Sequence, residues 1–454
     1  MIEFVARLAR GAVYFTGEEL ECWITLRNVV VLPPTTPPDS AGHLVASPDA
    51  GKLNGRPEGA AVAFLSGQIH CQCLVEDSKM NVPARPNHGL ERQDSSGGRR
   101  VSGMAPGPET NSFCLLATIP KLLAGNLDLE PGEEFNVLFS EIVPRDAMSP
   151  SFRGLALRYQ WKLAFQCQVL GQQTTTIYIP LWIMVIPDLD RLLGLAEMDG
   201  RRSSMNGVPA DDKAATSVET TALTNGTNGK DSPSPNSSSV ALTNGSDAVT
   251  AAKSVLTLDM AMQILDSLTS RKNARSFNID SSHGRIGVLV LTKTRFRLGE
   301  DIYGKFDFTD RSVTCVQYLV SLIGEEHICE EHRKAKSVAF SENIVSKSHD
   351  FCLCLTQSNF ILPVPLHVTS SFASEIVEFR WKLRFEFALS SEMFHLEVPS
   401  VGNENQSVLW RPPLRVPVET ILWDVPIDIY PTDPIQVHSV HMRESLVSDV
   451  RVKL

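Results

Sequence analysis

Two stretches decide the fold: SFRGLALRYQWKLAF (151–165) and SFASEIVEFRWKLRF (371–385). They match at Ser-Phe, at Tyr159 against Phe379, and through Trp-Lys-Leu-x-Phe. In the second, Ile376, Glu378, Arg380, Lys382 and Arg384 alternate with Val377, Phe379, Trp381, Leu383 and Phe385. A period of two is the mark of a strand with one buried face. Around this pair three more segments recur in the same order. YFTGEELECWITL (14–26) answers FRLGEDIYGKFDF (296–308), QIHCQCLVE (68–76) answers QYLVSLIGE (317–325), and IPLWIMV (179–185) answers VPIDIY (425–430). Four ordered matches indicate a duplicated domain. Short alternating runs with Gly and Pro punctuation predict an all-β sandwich in each copy.

The rest of the chain divides accordingly. Residues 1–187 form one expected lobe and 276–454 the other. From about 199 to 253 the sequence turns to Ser, Thr, Asn, Gly, Ala and Asp, with too little apolar area to offset ordering entropy, and a disordered linker is expected over 188–253. At 254–275, Val255, Leu258, Met262, Leu265 and Leu268 fall on one helical face, predicting a short amphipathic helix. The segments 33–60 and 78–110 read as long loops. The two Gly-Glu tetrads, at 16–19 and 298–301, sit between alternating runs and read as hairpin turns, with Gly supplying a positive φ.

Composition narrows the function. The 454 residues carry 42 basic and 52 acidic side chains, a net charge of −10, which argues against a protein that coats nucleic acid. MIEFVARLARG alternates where a signal peptide needs an unbroken apolar core, and IYIPLWIMVIP (177–187) is about half the ~20 residues of a spanning helix. Nine scattered cysteines have no framework spacing; Cys71, Cys73, Cys114, Cys167, Cys352 and Cys354 sit in apolar runs, as reduced buried thiols do. A cytosolic protein is the expectation.

No motif for catalysis is present: no GxxxxGK[ST], GxGxxG after a strand, GxSxG or HExxH. Cys71-x-Cys73 and Cys352-x-Cys354 each place two thiols on one expected strand face, and packing explains them better than zinc. His327, Cys329 and His332 are the best remaining metal candidates, set among glutamates that suggest a wet loop. Two basic trios, Arg380, Lys382, Arg384 and Lys293, Arg295, Arg297, have i, i+2, i+4 spacing and so share a sheet face. They are the expected interface, a basic stripe for an acidic protein surface or an anionic membrane. RRVS (99–102) and RRSS (201–204) have the look of kinase sites.

Tandem β-sandwiches opened by an aromatic-x-x-Gly-Glu turn resemble the arrestin fold. A closer resemblance is to the Rgp (reduced growth phenotype) family. It is carried by MIEFVARLARGAVYFTGEELEC (1–22), SGQIHCQC (66–73), LEPGE (129–133), SPSFRG (149–154), YQWKL (159–163), RLGEDIYGKFDF (297–308), FRWKLRFEF (379–387) and WDVPIDIYPT (423–432). The resemblance implies an arrestin-like, non-enzymatic subunit of a guanine-nucleotide exchange factor. Its partners would be a large Ric-like subunit of β-propeller and helical build and the Golgi Rab-six GTPase, with no cofactor. Its place would be the cytosol and the cytoplasmic face of the Golgi. Such a factor favours the nucleotide-free GTPase, so that GDP leaves and GTP replaces it. The rival reading is a cargo-sorting adaptor of the retromer or arrestin kind, taking up receptor tails by strand addition.

Overall fold

The computed structural model describes residues 1–29, 59–76, 78–81, 111–145, 149–193, 255–270, 274–335, 340–392, 415–441 and 449–454. In the first copy β1 (Ile2–Leu8), β2 (Val13–Phe15), β3 (Glu19–Asn28) and β4 (Ala60–Val75) are followed by β5 (Ser112–Ala117), β6 (Lys121–Leu129) and β7 (Glu134–Ile142). Then come β8 (Phe152–Arg153), β9 (Leu157–Val169) and β10 (Thr175–Met184). Helix α1 (Leu258–Leu268) precedes the second copy: β11 (Arg275–Ser281), β12 (Gly284–Leu291), β13 (Arg295–Arg297), β14 (Asp301–Asp307) and β15 (Thr314–Ile328). It continues with β16 (Phe340–Phe351), β17 (Gln357–Pro363), β18 (Phe372–Ala373), β19 (Val377–Ser390) and β20 (Glu419–Tyr430). The chain ends with α2 (Pro434–His441) and β21 (Asp449–Lys453).

The fold is all-β. The first copy pairs the sheet β21-β1-β3-β7 with β2-β10-β9-β4, which is edged by β5 and β6; the second pairs β11-β12-β14-β17 with β13-β20-β19-β15-β16. Strand for strand the two orders correspond, down to the short β8 on β9 and β18 on β19. Alternation puts the apolar sides of facing sheets together. Phe4 and Phe139 meet Phe165 across the first sandwich, with ring centroids 5.7 and 5.5 Å apart. Phe306 and Phe360 meet Phe385 across the second, each at 5.8 Å.

The repeated tryptophans anchor both cores. Trp161 and Trp381 are almost wholly buried. Each indole N–H donates to the carbonyl twelve residues before it, Ser149 at 2.9 Å and Thr369 at 3.1 Å. Burying roughly 200 Å² of ring at ~25 cal/mol per Å² supplies about 5 kcal/mol of apolar driving force at each site, and the hydrogen bond removes the cost of a dry N–H.

Three sequence expectations are corrected here. The Gly-Glu tetrads are corners rather than hairpins: β2 pairs in parallel with β10 while β3 belongs to the opposite sheet. In each corner the glutamate caps its own turn, Glu18 Oε2 accepting from Phe15 N at 2.7 Å and Glu300 Oε2 from Arg297 N at 2.9 Å. Gly17 and Gly299, at φ of 88° and 84°, donate to the carbonyls of Val143 and Val364. Secondly, residues 449–453 do not belong with the second copy. As β21 they pair with β1, in the place that β11 takes beside β12. Thirdly, β16 ends at Phe351, so Cys352 and Cys354 share no strand; Cys354 has a φ of 67°. Beyond residue 193 the expected linker, like RRVS and RRSS, lies outside the described residues.

A methyl group at Gly299 would meet Leu366 Cδ2 at 2.8 Å in a backbone conformation that L side chains avoid. Gly299→Ala is therefore expected to cost about 1–3 kcal/mol, read as a lower urea midpoint at unchanged m-value.

Candidate interaction surface at the seam of the two repeats

The copies meet through matching segments. Phe152 on β8 packs on Phe372 of β18 and on Phe379 of β19, with centroids 5.0 and 5.1 Å apart. Tyr159 packs on Phe372 at 6.4 Å, and its hydroxyl is 2.9 Å from Ser374 Oγ. Phe152 and Phe372 hold the same repeat position, as do Tyr159 and Phe379, so the contact is nearly symmetric. A backbone strip extends it: Asn81 N donates to His332 O at 2.8 Å, and Lys334 N to Lys79 O at 3.3 Å.

One carboxylate breaks the symmetry. Glu326, 3% exposed near the end of β15, reaches into the β8–β9 turn. Its Oε2 accepts from Leu155 N at 2.6 Å, and its Oε1 accepts from Ala156 N at 3.0 Å and Leu157 N at 3.3 Å. Ser341 Oγ, on β16, donates to Oε2 at 3.3 Å. Gly154 leaves the room: a Cβ there would stand 2.4 Å from Oε1. Sequence reasoning missed Glu326, placing it in a wet glutamate loop. The available signal was parity, since neighbours on a strand face opposite ways and Glu325 already looks outward.

The basic trios are not free stripes. Lys382, its side chain 12% exposed, contacts Glu325, Glu342 at 2.7 Å and Asp424 at 2.8 Å. Arg384 grips Glu342 at 2.8 and 2.9 Å and Asp424 at 2.9 Å, while Arg380 bonds Glu378 at 2.5 Å. Arg384, with Lys382 behind it, holds the Glu342 and Asp424 carboxyls below their ordinary range through hydrogen bonds. Burial opposes the charge on Lys382, but bonds from Asp424, Glu325 and Glu342 prevail and raise its pKa. The expected positive face is thus neutralised by carboxylates of β15, β16 and β20 and by Glu378 of β19 itself.

In the second trio, Arg295 lies 3.7 Å from Asp428, and the other two cations hold α1. The N terminus of α1 is tied to the corner of the first repeat, Leu256 N donating to Gly17 O at 2.9 Å, and Thr257 caps it through Met260 N. At its C terminus, Arg297 Nε donates to Thr269 Oγ1 at 2.9 Å and Lys293 Nζ to Thr269 O at 3.4 Å, where cations suit the helix dipole. Arg297 also pairs with Asp266, and Lys293 with Glu300 at 2.6 Å. Ala261 and Leu265 are buried, so the helix spans from one Gly-Glu corner to the other.

His327, Cys329 and His332 do not converge. His327 bonds Glu325 at 3.1 Å and stacks on Phe340, while His332 lies on a 3-10 turn. Among the described residues no group of three or more His, Cys, Asp or Glu is arranged to hold a metal. Burial pushes the thiol of Cys73 up to about 12 and that of the partly buried Cys114 up to about 11, which disfavours the thiolate that a metal or an electrophile would need.

With this geometry in hand, comparison with known proteins places the sequence. A family model described as Rgp1 matches residues 203–390. The human protein named RAB6A-GEF complex partner protein 2 is 30% identical over 438 residues, covering 96% of this chain and 96% of its own. The chain belongs to the Rgp1 family. The Bos taurus protein of the same name is 30% identical over 431 residues, covering 94% of this chain and 93% of its own. Among solved structures, the sporulation control protein Spo0M of Bacillus subtilis overlaps 43% of this chain and 55% of its own at 12% identity, with a TM-score of 0.23. That overlap is too loose to bear on fold or function.

The charge cluster has a pH signature. Glu342 and Asp424 are depressed in the folded chain relative to an unfolded value of about 4, so the stabilisation they contribute is present above that value and is lost as pH falls through the lower folded values. Carboxyl-carbon NMR is expected to show Glu342 and Asp424 titrating below the ordinary range. In Arg384→Leu both titrations should move back up.

Proposed function

We propose that this protein is the non-catalytic subunit of a heteromeric guanine-nucleotide exchange factor acting on a Golgi Rab GTPase of the Rab-six kind. The observation that carries the reading is the near full-length similarity to proteins named as partners in a RAB6A-GEF complex. In this reading the second subunit is a large Ric-like chain of β-propeller and helical build. The assembly works from the cytosol on the cytoplasmic face of the Golgi and promotes retrograde endosome-to-Golgi and Golgi vesicle transport.

The structure suits such a role. Exchange requires a surface that favours the nucleotide-free GTPase, and it requires no nucleophile or proton relay. Differential affinity for that state is all a partner can contribute, and a stiff surface contributes it at least ordering cost. Two sandwiches joined by a buried carboxylate, a ring cluster and a helix between their corners form such a surface. The test is release of labelled GDP from the Rab. The Ric-like subunit with this chain is expected to release GDP at least about tenfold faster than the Ric-like subunit alone, a barrier change of about 1.4 kcal/mol. Equal rates contradict the proposal.

A further inference from the structure

The duplication supplies an internal control for locating a docking site. In the second repeat the residues facing each other across β18 and β19 are Ala373 and Glu378, and Glu378 is bonded to Arg380. At the same position in the first repeat, β8 and β9 set Arg153 opposite Arg158. Both arginines are exposed, and among the described residues neither guanidinium has a hydrogen-bond or ion-pair partner. Like charges directly opposite on a sheet weaken it, so this pair is poor as structure. Between them Leu155 stands at the tip of the turn, 56% exposed, and Lys79 Nζ donates to its carbonyl at 3.0 Å, adding a third cation. The turn is fixed from beneath by Glu326 and closed by Gly154 N donating to Leu157 O at 2.9 Å.

We propose that this corner docks an acidic segment of a protein partner, its carboxylates on the Arg153 and Arg158 forks and an apolar side chain against Leu155. Guanidinium forks match carboxylate geometry and hold their charge at any physiological pH. Because the turn is already held, binding loses little to ordering. A bilayer of anionic lipid fits less well. Exposed Glu76, whose backbone N donates to Ala156 O at 2.8 Å, stands at the same corner and would be pressed against the headgroups. A peptide can place its carboxylates clear of it. The chain as a whole is acidic, at −10, so uptake of an acidic peptide reports a local site and not the overall field.

The probe is the fluorescein-labelled peptide Gly-Glu-Leu-Glu-Gly-Glu-Leu-Glu-Gly, titrated with the full chain by anisotropy beside its Gln-for-Glu analogue. The parent is expected to prefer the Glu peptide. Arg153→Glu with Arg158→Glu should weaken it by at least about tenfold, while Lys347→Glu, elsewhere on the surface, leaves it unchanged. Arg153→Gln with Arg158→Gln should show the same loss of preference if the Glu variants fail to fold. No preference in the parent, or equal affinity in the arginine variants, overturns the proposal. So does dependence on the two arginines for sedimentation with phosphatidylserine vesicles but not for peptide binding, which identifies a lipid site.

Discussion

Glu326 is the constraint on which the arrangement of the two repeats rests. Taking a carboxylate out of water costs several kcal/mol. Here that cost is offset by three backbone N–H groups that would themselves be unpaired without it. Because the donors are main chain, they cannot rotate away as side chains do, so the bond is kept or lost with the whole β8–β9 turn. Around it lie the Phe152, Phe372 and Phe379 rings, which tolerate several mutual orientations, and the directional backbone hydrogen bonds of the strip from Lys79 to Lys334. Packing brings the repeats together, and Glu326 with the backbone strip sets their register.

Duplication explains how one architecture presents two chemistries. The matched tryptophans, Gly-Glu corners and strand orders are kept, since each is a requirement of the sandwich itself. Outward residues are free to diverge. Lys162 and Lys382 hold the same repeat position, yet Lys162 bonds Gln72 at 3.0 Å whereas Lys382 is set among three carboxylates. Beside Lys162, His70 is buried, and burial followed by that cation pushes its pKa down to about 4, keeping it neutral. The β8–β9 and β18–β19 turns diverge as well: one carries opposed arginines and the other an alanine facing a glutamate already in use. Divergence at one position of a shared scaffold is what a new contact surface requires.

Much of this was legible in the sequence. Period-two alternation in 376–385 gave the buried face of β19, and four ordered matches gave the duplication, because both depend only on local order. What failed was whatever depends on register between distant strands. Arg380, Lys382 and Arg384 do share a sheet, and Arg380 has its partner, Glu378, on β19 itself, but the partners of Lys382 and Arg384 come from β15, β16 and β20, so Glu342 and Asp424 meet them from about 40 residues away in either direction. Parity predicts a face; only pairing predicts what neutralises it. The strand 449–453 was invisible for the same reason, since five polar-alternating residues signal nothing until β1 is beside them. The opposed arginines were in plain view in SFRGLALR, yet without the tight return at Gly154 they read as separate charges.

The most direct test of the account is native-state hydrogen exchange at the amides of Leu155, Ala156 and Leu157. If Glu326 holds the turn, these amides are protected to a degree comparable with the centre of β9, and Glu326→Ala exposes them selectively while β9 and β19 stay protected. Exchange in the parent at the rate of an open surface turn, or no change in the variant, would contradict it.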